Sequence, residues 1–119
     1  MQIQILEHNG RTVATVDGLS GFIRHEQDAL DLMAAAQADG ASIIVARQEH
    51  FDPAFFELQT GLAGTILQKF VTYGMRLAIL GDFEAVESKS LRAFIIESNR
   101  GRHLCFCPDL ERALQRLTT

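Results

Sequence analysis

The sequence predicts a single-domain α/β fold in which helices cover a mainly parallel five-stranded sheet. Short apolar, β-branched runs alternate with longer stretches whose apolar residues recur at helical spacing. Only the first two runs follow each other directly, so a helix leads to each later strand, as in a right-handed parallel crossover. A chain of 119 residues has the usual size of one domain. The predicted order of elements is ββαβαβαβα, within one domain spanning residues 1–119.

The first half of the chain is predicted from strand alternation and from glycine. Strands over residues 2–6 and 12–16 flank Asn9-Gly10, a pair typical of a tight hairpin turn. A helix over residues 26–39 has apolar residues at helical spacing and ends before Gly40. The short β-branched run at residues 41–46 is typical of a buried strand, which ends in a polar patch at residues 47–50.

The second half is predicted from helix caps and apolar stripes. Asp52-Pro53 is typical of a helix start, and an apolar stripe extends that helix to about residue 71. A strand follows at residues 75–80, and Ser88 begins the next helix. That helix closes at residues 99–101, with Asn99 or Gly101 expected in the left-handed conformation. The last strand and helix are expected at residues 103–107 and 109–117.

Charge and hydropathy exclude several classes of function. The chain has 11 basic and 15 acidic residues and a net charge of −4, which disfavours attraction to nucleic acid or to anionic lipid. The first residues lack the basic start and apolar stretch of a secretory signal. No apolar run approaches the ~18 residues that cross a bilayer. We therefore expect a cytoplasmic protein that binds neither nucleic acid nor membrane.

The two cysteines, Cys105 and Cys107, are expected on one face of a central strand because they are two residues apart. A direct disulfide at this spacing is strained. Zinc normally takes four ligands, and the sequence has no second cysteine pair. The thiols are therefore interpreted as small buried apolar groups, and neither a metal nor a cofactor is predicted.

One segment resembles a known family. Residues 58–67, Leu-Gln-Thr-Gly-Leu-Ala-Gly-Thr-Ile-Leu, resemble the segment that opens the second helix of STAS domains, the modules of anti-sigma-factor antagonists. Residues 73–80 resemble the glycine turn and fourth strand of those domains. The resemblance implies a STAS-like fold and a regulatory role through protein contact. Leu58 and Gln59 stand where the antagonists have Asp and the first Ser of their phosphorylation segment.

Nearly the whole chain is similar to the bacterial family of domain of unknown function 4180. This similarity implies a fold but no established activity. The residues that carry it fall into six short segments: 28–33, 55–64, 68–70, 81–83, 88–92 and 97–99.

A partner-binding surface is predicted at the start and outer face of the second helix. Two glycines within one helical turn require a reason, since each costs about 1 kcal/mol relative to alanine. Three reasons are open: a new helix capped by Thr60, the close approach of a neighbouring backbone, or space for a ligand. The surface comprises Phe56, Glu57, Thr60, Gly61, Gly64 and Gln68.

A second candidate site is a small anion site at the carboxyl end of the parallel strands. Asp82 follows the fourth strand, and Ser88, Lys89 and Ser90 begin the next helix, with Arg92 one turn on. Hydroxyls, free N–H groups and cations could hold a phosphate or carboxylate there. The same residues also fit a turn and a helix cap without any ligand.

No catalytic constellation is predicted. His8, His25, His50 and His103 are scattered, and each is expected to be exposed or to cap an element. The sequence therefore predicts a non-enzymatic regulatory module that contacts a protein partner or a second copy as a homodimer. The alternative is a sensor that binds a small anionic ligand.

Overall fold

The computed structural model describes residues 1–118, and its five-stranded sheet has the strand order β1-β2-β3-β4-β5. The strands are β1 (Gln2–His8), β2 (Arg11–Asp17), β3 (Ile43–Arg47), β4 (Arg76–Leu80) and β5 (Leu104–Cys107). The α-helices are α1 (Glu26–Ala38), α2 (Leu62–Thr72), α3 (Lys89–Arg100) and α4 (Leu110–Leu117). β1 is antiparallel to β2, and the other pairs are parallel. The α/β class and the order of these elements are confirmed.

The hairpin forms at Asn9-Gly10 because both residues take the left-handed conformation that a two-residue turn requires. Their φ angles are 51° and 74°. Such a turn matches the right-handed twist of the flanking strands and makes His8 and Arg11 the first cross-strand pair. The register of the whole hairpin follows from this pair.

Both faces of the sheet are covered, but unequally. Because successive parallel strands are neighbours and their crossovers are right-handed, α1, α2 and α3 lie on the same face. They bury Ala14, Ile44, Leu77 and Ile79 in the larger core. In the part of the chain that the structure describes, α4 is the only helix on the other face, where Ala113, Leu114 and Leu117 pack on alternate strand residues.

The prediction of one continuous helix from Asp52 to about residue 71 is wrong. Asp52 does cap a turn, accepting a hydrogen bond from the N–H of Ala54 at 2.9 Å, but only two short 3₁₀ turns follow. The chain then passes through Gly61, whose φ is +78°. A left-handed residue cannot continue a right-handed helix, so α2 begins only at Leu62.

Two further expectations are corrected at the last strand. β5 lies at the edge of the sheet and is not central, although Cys105 and Cys107 are buried and their Sγ atoms lie 3.3 Å apart. Neither Asn99 nor Gly101 has a positive φ. The Asn99 side chain instead binds the main chain of Phe106, accepting from its N–H at 2.7 Å and donating to its carbonyl at 3.3 Å.

Candidate functional site

A cleft of about 820 Å³ opens at the carboxyl end of the parallel strands. The chain that follows each of β2, β3, β4 and β5 contributes to its wall, so residues distant in sequence meet there. Ligands of open α/β sheets bind in this position. We call it the carboxyl-end cleft, and its lining is Ser20, Gly21, Arg47, Gln48, Glu49, Phe51, Pro53, Phe56, Leu80, Gly81 and Pro108.

The floor of the carboxyl-end cleft rests on a cluster of aromatic rings. Phe51 is buried and Phe56 is half-buried, and both contact the fully buried Phe55, with ring centroids 4.6 Å and 5.0 Å from it. Phe83, which follows β4, contacts Phe56 at 6.3 Å. Edge-to-face and tilted contacts of this kind favour fixed ring positions. The floor is therefore apolar and well ordered.

The walls are joined by main-chain hydrogen bonds between the segments that follow β2 and β3. Gly21 donates to the carbonyl of Glu49 at 2.7 Å, and Ile23 donates to that of His50 at 2.9 Å. Asp52 donates back to Ile23 at 3.0 Å. Ile23 and Phe51 thereby form a parallel bridge outside the five strands. These main-chain bonds join the two loops into one continuous wall.

The charged groups at the rim are paired with one another. Arg47 Nη2 lies 3.0 Å from Asp17 Oδ1, and Arg47 Nε lies 2.8 Å from Glu49 Oε1. All three side chains are more than half exposed, so water screens these contacts. Arg47 and Glu49 line the carboxyl-end cleft, and Asp17 lies in the neighbouring groove that Arg47 also lines. With Asp17 included, this rim has one positive and two negative charges.

His50 lies beneath this rim and is fully buried, so the expectation of an exposed side chain is wrong, whereas the alternative, a capping role, is met at the 3₁₀ turn Gln48–His50. Its Nδ1 accepts a hydrogen bond from the N–H of Arg47 at 2.9 Å, which leaves the proton on Nε2. Nε2 has no hydrogen-bond partner among the described residues, and Asp17 Oδ1 lies 3.9 Å away. Burial, and secondarily the charge of Arg47, lowers the pKa of His50.

The residues of the predicted partner-binding surface are divided between two places. Gly61, Gly64 and Gln68 line a shallow depression of about 440 Å³ together with Lys69, whose Nζ lies 3.1 Å from a carboxylate oxygen of Glu26.

Phe56 belongs to the carboxyl-end cleft instead, and neither Glu57 nor Thr60 lines the shallow depression. The N-cap of α2 is Gly61 and not Thr60. Its hydroxyl lies 2.7 Å from the carbonyl of Ala54, 2.8 Å from that of Glu57, and 3.3 Å from the N–H of Leu62. Thr60 thus links the 3₁₀ turns to the start of α2. The partner-binding role of the predicted surface stays a prediction.

The predicted anion-binding residues have local structural contacts. Asp82 accepts from the N–H of Glu84 at 3.2 Å, and Ser88 caps α3 by accepting from Leu91 N at 3.2 Å. Ser90 Oγ lies 3.2 Å from Ser88 Oγ. Lys89 is exposed beside them.

Of this set, only Asp82 lines a neighbouring depression of about 600 Å³. That depression and the carboxyl-end cleft have Gly81 and Pro108 in common. Arg92 donates to the carbonyl of Val86 at 2.6 Å and thereby fixes the loop before α3. The structure therefore gives these residues turn and cap contacts, and an anion site here stays a prediction.

The sequence predicted a ligand site at the carboxyl end of the strands, but of the residues that line the cleft it named only Phe56, and it assigned Phe56 to the partner-binding surface. The polar patch that starts at Arg47 was visible as the point where a buried strand emerges, but nothing in the sequence pairs Arg47 with Asp17. Ser20 and Gly21 appeared only as part of a glycine-rich linker. In residues 1–118, no helix is both long and apolar enough to cross a membrane.

The structure is a small α/β module with one antiparallel hairpin and a cleft at the carboxyl end of its sheet. The chain belongs to the family described as Domain of unknown function (DUF4180), which it matches over residues 8–117. The predicted family is thereby confirmed. Neither a curated protein nor a solved structure matches the chain, so the likeness to STAS domains stays a prediction.

Proposed function

We propose that this protein is a non-enzymatic regulatory module that binds a small ligand in the carboxyl-end cleft. The observation that carries the proposal is the convergence of four strand-to-helix connections on one ordered cleft of about 820 Å³. A volume of this size is typical of small-molecule sites. Main-chain bonds such as Gly21 N to Glu49 O preorganise the walls, which lowers the entropic cost of binding.

The lining indicates the chemistry of the ligand. Phe51, Pro53 and Phe56 offer apolar contact for a flat ring system. Arg47 is already paired with two carboxylates, so an anion would have to displace Asp17 or Glu49 to reach it. A donor or a positive charge on the ligand would instead meet an acidic rim. The proposed ligand is therefore an aromatic molecule that is neutral or cationic, in contrast to the anion predicted from the sequence.

The surroundings of His50 support a binding role over catalysis. A general base must reach the proton that it removes. His50 is fully buried, and its Nδ1 is occupied by the main chain of Arg47. The exposed ionisable groups at the rim are held in ion pairs with one another.

The first test is a thermal-shift screen with flat aromatic compounds in matched cationic, neutral and anionic forms. Cationic or neutral forms are expected to raise Tm, with a stabilisation of about 2.7 kcal/mol at a hundredfold excess over Kd. Ser20→Trp places a large ring at the mouth of the carboxyl-end cleft and should abolish the shift. Ser42→Trp, at an exposed position before the amino end of β3, is the matched control and should retain it.

Two results would overturn the ligand proposal. In the first, anionic compounds alone stabilise the protein. In the second, Ser20→Trp responds like the parent chain.

The regulatory contact predicted for the outer face of α2 is the second candidate, and Gly64 is the observation that favours it. A Cβ atom added at Gly64 would meet no heavy atom within 4 Å, and its φ is not positive. Nothing within the monomer therefore requires glycine, although alanine would favour the helix by about 1 kcal/mol. Close approach by a helix of a partner protein would account for it.

Substitution of Gly64 tests this second candidate. With a photo-crosslinking residue in place of Gln68, a crosslinked partner is expected in cells when Gly64 is present and lost in Gly64→Leu. Gly64→Ala should weaken the crosslink to a smaller extent than Gly64→Leu, and Val71→Leu, at an exposed position of α2 outside the shallow depression, is the control and should retain the crosslink. Gly61→Leu is unsuitable because its φ of +78° makes any side chain strained. A crosslink that survives in Gly64→Leu would contradict this role.

A further inference from the structure

The two edge strands of the sheet differ in whether their outward main-chain groups have hydrogen-bond partners. At the β5 edge, the Asn99 amide occupies both the N–H and the carbonyl of Phe106 and thereby blocks the approach of another strand. At the opposite edge lies β1, a strand of seven residues that pairs with β2 on one side and has no strand on its outer side among residues 1–118. An unpaired edge of this length is a template for pairing with another chain.

The hairpin turn determines which residues of β1 face outward. His8 and Arg11 flank a two-residue turn and are a hydrogen-bonded pair. Hydrogen-bonded pairs recur at every second residue of an antiparallel ladder, so Gln4 points its main-chain groups at β2. The Thr15 hydroxyl lies 3.4 Å from the Gln4 carbonyl, in agreement. Ile3, Ile5 and Glu7 therefore direct their N–H and C=O groups to the open edge.

The side chains of β1 provide little protection of this edge. The strand contains neither lysine nor proline, the residues that natural proteins use to block an edge. Glu7 is its only acidic residue, and its carboxylate accepts a hydrogen bond from Thr12 at 2.7 Å. Ile5 lies at the centre of the strand with 41% of its surface exposed.

We propose that β1 pairs antiparallel with β1 of a second copy of this chain, around a two-fold axis at Ile5. This register is the one that pairs all three outward-facing residues, because Ile5 meets Ile5 of the second copy and Ile3 meets its Glu7. Gln2 lies opposite His8, so no like charges oppose each other. The two sheets become one continuous sheet, and the exposed Ile5 side chains contact each other across the axis.

This contact differs from the α2 surface on which the sequence predicted a homodimer, and it is independent of the proposed ligand. Pairing of one short strand buries less than a standard interface of about 800 Å² per partner. We therefore expect a reversible dimer with a Kd on the order of micromolar.

Sedimentation equilibrium from about 1 µM to a few hundred µM tests the dimer directly. The parent chain is expected to change from monomer to dimer over this range. Ile5→Lys and Ile5→Glu each place like charges across the axis, so each variant alone should remain monomeric. An equimolar mixture of the two should form a mixed dimer, because lysine then meets glutamate.

Two controls keep the result interpretable. Gln4→Lys adds the same charge to the same strand, but the Gln4 side chain lies on the other face of the sheet, opposite Leu6 of the second copy, and the dimer should persist. Thermal melts of all variants at low concentration should agree with the parent monomer, since position 5 is partly exposed. A parent chain that stays monomeric, a dimer that persists in Ile5→Lys, a mixture that stays monomeric, or loss of the dimer in Gln4→Lys would each overturn the proposal.

Discussion

Replacing Phe55 with alanine is expected to lower the free energy of unfolding by about 3–5 kcal/mol, the usual cost of removing a buried aromatic side chain. Phe55 is 1% exposed and is among the largest fully buried side chains. Its ring contacts Phe51 and Phe56, so its removal leaves a cavity directly under the carboxyl-end cleft. Urea denaturation monitored by circular dichroism measures the loss.

Phe94→Ala is the matched control for this substitution. Phe94 is only half-buried and contacts Phe106 at 6.1 Å, on the α3 side of the sheet. Its loss should cost clearly less than that of Phe55, because less apolar surface leaves the interior. A smaller effect at Phe55 than at Phe94 would show that the aromatic cluster is not the packed floor described above.

Acidification below pH 6.5 is expected to destabilise the protein through His50. The pKa of His50 is lowered in the folded state, chiefly by burial, so the unfolded chain takes up a proton first. The stability that neutral His50 contributes is fully present above the unfolded pKa of about 6.5. Below it, the free energy of unfolding falls by about 1.4 kcal/mol per pH unit until the folded pKa is reached. Protonation also places a hydrogen on Nδ1, which then cannot accept from Arg47 N.

The contribution of His50 is measured by the difference in unfolding free energy between the parent and His50→Asn from pH 8 to pH 5. The asparagine carbonyl can accept the Arg47 N–H but does not titrate in this range. Between pH 8 and pH 5 the parent should therefore lose more free energy of unfolding than the variant loses. His103→Asn, at a half-buried histidine whose Nδ1 lies 3.1 Å from the Met75 carbonyl, is the control. Equal pH dependence in the parent and His50→Asn would refute the assignment.

The fold was predictable because its signals are local. Asn9-Gly10 fixed the hairpin, and Ser88 and Asp109 cap α3 and α4 by accepting from N–H groups three residues on. The helix after Asp52 was misjudged because the apolar stripe continues across the 3₁₀ turns. Only the φ of Gly61, which a sequence does not display, separates those turns from α2.

The carboxyl-end cleft was less predictable because its contacts are distant in sequence. Arg47 and Asp17 are 30 residues apart, and Gly21 binds Glu49 through main-chain atoms that any residue possesses. His50 appeared exposed because it lies in a polar patch after a buried strand. Phe22 packs against the His50 ring, with ring centroids 5.5 Å apart, and no pattern in the sequence joins these two residues.

The sequential strand order has a consequence for synthesis. Each strand pairs with the strand that precedes it in the chain, so every new strand emerging from a ribosome meets a partner that is already formed. No strand pairs with one more than a single connection away, so the sequence separation of the sheet contacts is lower than in a sheet with a shuffled strand order. The face under α4 differs from the opposite face. Its apolar residues Val13, Ile43 and Val45 stay exposed to water until residues 110–117 have been translated. Aggregation during translation is therefore a hazard of this one face.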